Sequence, residues 1–342
     1  MRTLARMPKE RIAGPSLDWA MAALSVAFVA GLFLDGWAHT HGKVDQSFFT
    51  PWHAVLYSGF ALNFLSLLGV AGLNRSRGYS WSEALPEGYG LSLLGMSLWL
   101  LGGPGDLVWH TLFGIEEDIN ALYSPTHLLL ATGLVLAASG PWRAMWTRPG
   151  STSALVVQLP MLLSLAASLS ALTFFVQFAH PVTNRWGFGY APVPGVYQAL
   201  GVTGFILINA LVVGALLISM RRWRLGAGAF TLVLGLNAFA MGFLDDSYPL
   251  AWVTIYLLAG ALLDGLYRWL NPEPGQVGSM RLFAVLASSL LMALYFALGR
   301  LILPFNWSPH MVGGMVFIAG VVGFFLSLLM FPPTLPTERD GR

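Results

Sequence analysis

Ten stretches of this chain are each apolar for roughly 20 residues, the length a helix needs to cross the hydrocarbon core of a bilayer. They fall near 17–37, 52–73, 89–112, 125–142, 154–180, 196–220, 226–244, 248–267, 282–303 and 308–331. Inside a membrane the backbone must satisfy its own hydrogen bonds, which leaves helices or closed barrels. Barrel strands read as short alternating segments, whereas these runs are continuous. The expected fold is all-α, a polytopic integral membrane helical bundle of about ten transmembrane helices. Composition narrows the function. Only 10% of the 342 residues are charged, against about a quarter in a soluble domain. That excludes a soluble enzyme, a disordered chain and a nucleic-acid binder, so the first expected partner is the lipid bilayer of the cell membrane. The sequence contains no cysteine, which removes thiolate metal sites, iron–sulfur clusters and cysteine nucleophiles.

Basic residues set the orientation, because they collect in cytoplasmic segments. Arg2, Arg6, Lys9 and Arg11 precede the first span; Arg75 and Arg77 follow the second, Arg143 and Arg148 the fourth, and Arg221, Arg222 and Arg224 the sixth. Arg268 and Arg281 lie between the eighth and ninth spans, and Arg339 and Arg342 close the chain. Only Lys43, Arg185 and Arg300 fall on the other side. Both termini are expected in the cytoplasm. The first span reads as retained rather than cleaved, since Asp35 and Trp37 suit a leader-cleavage site poorly. The organisation expected is a cytoplasmic segment 1–16, a four-helix membrane unit 17–142, a cytoplasmic loop 143–153, a six-helix membrane unit 154–331 and a cytoplasmic tail 332–342.

On this map His39, His41, His53, His110, His127, His180 and His310 all fall on the extracytoplasmic side. Seven independent residues would share one side about once in 64. Histidine is the commonest metal ligand, so the outer face reads as the working face.

Two outer hairpins repeat one constellation. The first has Asp35 and His39 at i and i+4, a loop, then Thr50-Pro51-Trp52-His53. The second has Asp106 and His110 at the same spacing, a loop, then Ser124-Pro125-Thr126-His127. Residues i and i+4 share a helix face. Thr50 and Ser124 suit N-caps and the following prolines suit N1, which puts His53 and His127 at N3, facing the descending helix. Gly102-Gly103-Pro104-Gly105 is expected to break or kink the third span just before Asp106. Each hairpin then closes a carboxylate and two imidazoles on one point, a donor set that suits copper, zinc or non-haem iron. The bland alternative is an ion-pair cluster that pins the hairpin.

These segments resemble a copper-binding membrane subunit of the copper membrane monooxygenases, the particulate methane and ammonia monooxygenases. That family has an Asp-x3-His pair followed by Asp-x-Ser-Phe-Thr-Pro-x-His; here Asp35 and His39 precede Asp45-Gln46-Ser47-Phe48-Phe49-Thr50-Pro51-Trp52-His53, with one extra phenylalanine. The family's next outer hairpin has Asn-x3-His, a Glu-Glu pair and Pro-x-His; here these positions hold Asp106, His110, Glu116-Glu117 and Pro125-Thr126-His127. The resemblance implies one copper site at Asp35, His39 and His53, and another at Asp106, His110 and His127. It also implies a role in oxidising a small apolar substrate with dioxygen, alone or with other membrane subunits or further copies of the chain. It covers roughly residues 30–135, and the ten spans exceed the family's number. Asp106 replaces the family's asparagine and adds a negative charge, which bears on metal preference, and the second loop is longer.

The remaining polar groups are weaker signals. Ser308-Pro309-His310 echoes the cap-proline-histidine opening, and Asp245-Asp246 form an outer acid pair. Asp264 and Arg268 at i and i+4 read as a local ion pair. Gly313, Gly314 and Gly320 read as helix-packing positions. Trp37, Phe48, Phe49, Trp52, Trp109 and Phe113 suit an apolar pocket or the aromatic belt of a membrane interface. Two further functions stay open on sequence: a non-catalytic protein that binds or delivers copper or zinc, and a transporter or scaffold without metal.

Overall fold

The structure is a computed structural model describing residues 10–43, 49–114, 119–150, 153–191, 195–245, 249–272 and 276–332. The elements run α1 (Pro15–Thr40), α2 (Pro51–Ser76), α3 (Trp81–Ala84), α4 (Gly90–Phe113), α5 (Asn120–Tyr123), α6 (Pro125–Ala138), α7 (Gly140–Thr147) and α8 (Leu155–Phe175). They continue with α9 (Pro181–Asn184), α10 (Gly195–Arg222), α11 (Ala229–Phe243), α12 (Pro249–Leu270), α13 (Val277–Gly299) and α14 (Pro309–Met330). Among the described residues, the only β pairing is an isolated bridge between Phe188 and Phe305.

Eight of these helices (α1, α2, α4, α8, α10, α12, α13 and α14) are long and apolar enough to cross a membrane. This is the character of a multi-pass membrane protein. Helices α6 and α7 form a further apolar pair bent by 41°. Helix α11 has 15 residues; at ~1.5 Å per residue it is shorter than a bilayer's hydrocarbon core of about 30 Å. The ten apolar stretches of the sequence therefore appear as eight full-length spans, a bent pair and a short helix.

Packing between the first helices is set by small residues. A Cβ on Gly59 would stand 2.8 Å from the Cα of Phe28, which brings α2 onto α1. A Cβ on Gly95 would stand 2.4 Å from the carbonyl oxygen of Gly133, and one on Gly133 would stand 2.6 Å from that of Gly95, so α4 and α6 touch backbone to backbone. Close approach through small residues is how helices gain dispersion and carbonyl contacts where water supplies no driving force. Above this contact Trp99 donates its indole N–H to the Leu130 carbonyl at 2.7 Å, and its ring meets Phe28 at 4.9 Å and Phe60 at 5.4 Å. One aromatic side chain of α4 thus ties together α1, α2 and α6.

Helix α4 runs through Pro104 as one helix, so of the break or kink expected there the break does not occur. Proline forfeits one donor and strains one turn, and here the adjoining glycines serve another end. A Cβ on Gly102 would meet Leu130 Cδ2 at 2.7 Å, and one on Gly103 would meet the Tyr57 hydroxyl at 2.9 Å. Asp106 and His110 accordingly belong to the last turns of a continuous helix. Among the glycines of α14, Gly313 and Gly314 have open space around them, while a Cβ on Gly320 would stand 2.5 Å from Ser289 Oγ and one on Gly323 would stand 2.3 Å from the Ala284 carbonyl oxygen.

The end of the bundle opposite the two hairpins is held by arginines. Asp18 is buried there, accepts a hydrogen bond from the Tyr89 hydroxyl at 2.7 Å and pairs with Arg148. Asp264 does not pair with Arg268. It accepts the N–H groups of Gly228 at 2.9 Å and Thr231 at 3.1 Å and the Thr231 hydroxyl at 2.7 Å, so its charge is spent on the first turn of α11. A carboxylate facing a helix N-terminus gains both donors and the macrodipole.

Candidate metal centres

The first hairpin places Asp35 and His39 on the last turns of α1 and His53 on the first turn of α2. Thr50 is the N-cap of α2, Pro51 occupies N1, and Thr50 Oγ1 accepts the His53 backbone N–H at 3.1 Å. That bond fixes His53 at N3, the position expected from the cap-proline pattern. The second hairpin reproduces the arrangement with Asp106 and His110 on α4 and His127 on α6, where Ser124 Oγ accepts the His127 N–H at 3.2 Å.

Within each group of three, one ligand atom per residue can be chosen so that all lie within 4.8 Å of one another. Both histidines of the first group converge on a single carboxylate oxygen: Asp35 Oδ2 is 3.3 Å from His53 Nε2 and 3.8 Å from His39 Nε2. In the second group Asp106 spreads its oxygens, with Oδ2 3.3 Å from His110 Nε2 and Oδ1 3.2 Å from His127 Nε2. A charge-assisted N–H···O bond is shorter, about 2.7–2.9 Å. Two ligands held at roughly 2.0–2.1 Å by one tetrahedral ion sit about 3.4 Å apart. The separations of 3.2–3.3 Å suit the second case, and at this length His127 also hydrogen-bonds Asp106.

Neighbouring groups orient these side chains. Thr126 donates its hydroxyl to Asp106 Oδ1 at 2.7 Å, and His110 Nδ1 lies 3.3 Å from the Gly114 carbonyl. Histidine ligands typically bond through one ring nitrogen and donate the other N–H to a carbonyl or carboxylate. Asp35 differs: its Oδ1 is buried and has no hydrogen-bond partner among the described residues. The carboxylate side chains are little exposed, 11% for Asp35 and 4% for Asp106, while His39 is 40% exposed. Burying a carboxylate without a paired cation is costly, and at Asp35 the orphaned oxygen adds to the cost. A cation at the focus of each triad would offset the burial of its carboxylate, so the residues fit a metal ion. Three protein ligands leave a coordination position open, as a reactive metal requires.

The two centres are neighbours. His39 lies within electrostatic range of His110 and His127, and Tyr57 within range of both Asp35 and Asp106. Tyr57 stands one turn beyond His53, with ring centroids 6.2 Å apart, and its hydroxyl lies against Gly103, one turn before Asp106. Sequence spacing had no means of revealing this juxtaposition, which arises from packing of α2 on α4.

The other histidines stand apart from the two triads. His41 stacks on Trp37 with centroids 4.8 Å apart and its Nδ1 lies 2.8 Å from the Trp37 carbonyl. His180 is fully buried before α9; its Nδ1 accepts the Val182 N–H at 3.2 Å and its Nε2 faces Asn237 Oδ1 at 3.4 Å. Burial pushes the His180 imidazole down to about 3, against a smaller upward pull from Asn237. It is a neutral, satisfied core histidine. His310 is exposed at the start of α14. Asp245 is engaged by Arg185. Asp45, Gln46, Ser47, Phe48, Glu116, Glu117 and Asp246, singled out on sequence, lie outside the described residues.

No protein family, curated protein or solved structure matches this chain. The site and its geometry therefore carry the functional reading.

Proposed function

We propose that this protein is a membrane metalloprotein that binds copper at two adjacent sites on its extracytoplasmic face, Asp35/His39/His53 and Asp106/His110/His127, and uses the metal to oxidise a small apolar substrate with dioxygen. The observation that carries metal binding is the oxygen-to-nitrogen separation of 3.2–3.8 Å within each triad. Three of the four distances lie close to the spacing of two ligands on one tetrahedral ion, and each triad presents one carboxylate and two imidazoles to a single point. Copper and oxygen chemistry rest on the resemblance to the copper membrane monooxygenases, and the arginine distribution supports the extracytoplasmic placement.

On this reading, copper supplies a redox couple and an open position for dioxygen. The chain does the rest. Asp35 and Asp106 contribute negative charge, His39, His53, His110 and His127 contribute neutral Nε2 donors, and Thr126 holds the Asp106 carboxylate toward its imidazoles. Exposed Phe113 beside His110 gives an apolar substrate a lipid-side approach. A second reading, custody of copper or zinc without turnover, draws on the short connections at this end: α1 and α2 are separated by ten residues and α4 and α6 by eleven, leaving little chain there to receive an electron donor.

The test is elemental analysis of the purified full chain beside a His53→Ala/His127→Ala variant of equal thermal stability. Copper near two equivalents, lost in the variant, with oxygen consumption by the loaded protein, is the expected result. Zinc or iron lost in the same way would remove the monooxygenase reading and leave metal custody. Absence of metal after reconstitution would overturn both.

A further inference from the structure

A cavity of about 420 Å³ opens at the arginine-rich end of the bundle, lined among others by Arg224, Leu225, Gly226, Tyr267, Arg268 and Asn271. It sits where α10 turns into α11 and where α12 ends, far along the chain from either triad. Two guanidinium groups border it. Arg268 has no ion pair among the described residues, because Asp264, one turn earlier on α12, is committed to the N–H groups and the hydroxyl at the start of α11. Arg224 bonds Asn271 Oδ1 at the rim of the cavity.

The wall of the cavity is built rather than incidental. Asn271 follows the last residue of α12 with φ of 41°, in the left-handed region that asparagine tolerates better than most residues. Its N–H donates to the Tyr267 carbonyl at 2.9 Å, and from this position its side chain reaches Arg224. Across the cavity Tyr267 is buried and its hydroxyl accepts the Leu225 N–H at 3.2 Å, while Gly226 donates to Gln158 Oε1 at 2.8 Å. The α10–α11 turn is thereby held against α8 and α12 with both arginines at its edge.

We propose that this cavity binds the phosphate group of an anionic phospholipid. Guanidinium forks match phosphate oxygens in pairs, and basic clefts between helices on the cytoplasmic side meet the anionic leaflet. Trp269, 78% exposed and next to Arg268, is the residue type that marks the headgroup level. A free phosphate shares the same oxyanion chemistry, and the experiment separates the two sources.

The full chain in neutral detergent is titrated with phosphatidylglycerol, phosphatidylcholine or inorganic phosphate, reading retained ligand by native mass spectrometry and the shift in thermal midpoint. The expected result is one retained phosphatidylglycerol, bound at least tenfold more weakly by Arg224→Gln/Arg268→Gln and unchanged by Arg221→Gln, which removes the same kind of charge outside the cavity. Phosphatidylcholine should be retained no better by the native protein than by the double variant. Saturable stabilisation by inorganic phosphate alone, lost in the double variant, would support the oxyanion site and assign it a soluble ligand. Equal phosphatidylglycerol retention by native and double-variant protein, or equal retention of phosphatidylcholine and phosphatidylglycerol, would overturn the proposal. If the double variant does not fold, Arg268→Gln alone is read by the same criteria.

Discussion

Thr126 occupies the second position of α6, where a side-chain hydroxyl commonly competes for nearby backbone groups. Here it donates instead to Asp106 Oδ1 on the neighbouring helix at 2.7 Å, the same oxygen that faces His127. Replacing it with valine keeps the shape and removes the donor. Loss of a group that orients a ligand typically lowers metal affinity by about 10–100-fold. Thr126→Val should therefore weaken one metal equivalent by that factor and leave the equivalent at Asp35, His39 and His53 unchanged, as read by competition with a chromophoric chelator. A fall in both equivalents together would mean that the variant acts through the fold. Asp35 lacks such a donor and has a buried oxygen unpartnered among the described residues, so the two carboxylates, equivalent in sequence, are unlike in setting.

The two hairpins were legible at the scale of the element because their logic is local. The i, i+4 spacing and the cap-proline-x-histidine opening are decided within a few residues, and the Thr50 and Ser124 cap bonds form as such sequences favour. What sequence hid depends on partners from distant segments. The Gly-Gly-Pro-Gly run reads as a helix break or kink, yet the helix continues and Gly102 and Gly103 admit Leu130 of α6 and Tyr57 of α2. Asp264 reads as the partner of Arg268, yet the start of α11 supplies several donors to a single carboxylate. The backbone contact between Gly95 and Gly133 was equally invisible, and the second triad depends on it because its ligands are divided between α4 and α6. Gly133→Ala would place Cβ 2.6 Å from the Gly95 carbonyl oxygen and 2.9 Å from Trp99 Cδ1. Overpacking of this kind costs about 1–3 kcal/mol. It should lower the thermal midpoint and reduce bound metal from two equivalents toward one, whereas Gly69→Ala, with open space around it, should change neither. Retention of two tightly bound equivalents in Gly133→Ala would show that the α4–α6 contact does not position the site.

For the whole molecule, the arrangement separates two chemistries along the bundle axis: histidine–carboxylate groups at one end, arginines and the proposed phosphate cavity at the other. The separation has functional meaning only if the ends face opposite sides of a membrane. That orientation comes from the distribution of basic residues, while helix lengths and apolarity are silent on it. The absence of cysteine makes it directly measurable, since any introduced thiol is the only one in the chain. Lys43 and Ser82 are exposed near opposite ends of the first helical pair, and Gly278 and His310 near opposite ends of the last. A membrane-impermeant maleimide applied to intact cells should label Lys43→Cys and His310→Cys, and should label Ser82→Cys and Gly278→Cys only after permeabilisation. The reverse pattern would place the triads in the cytoplasm, where abundant thiols compete for copper, and would remove the oxidative reading while leaving the proposal of metal binding open to its own test. Labelling of Lys43→Cys and Gly278→Cys from the same side would change the number of crossings between them. In that case the bent α6–α7 pair or the short α11 would enter the bilayer without traversing it, and the two helical units would face the membrane in a different relation from the one the arginines imply.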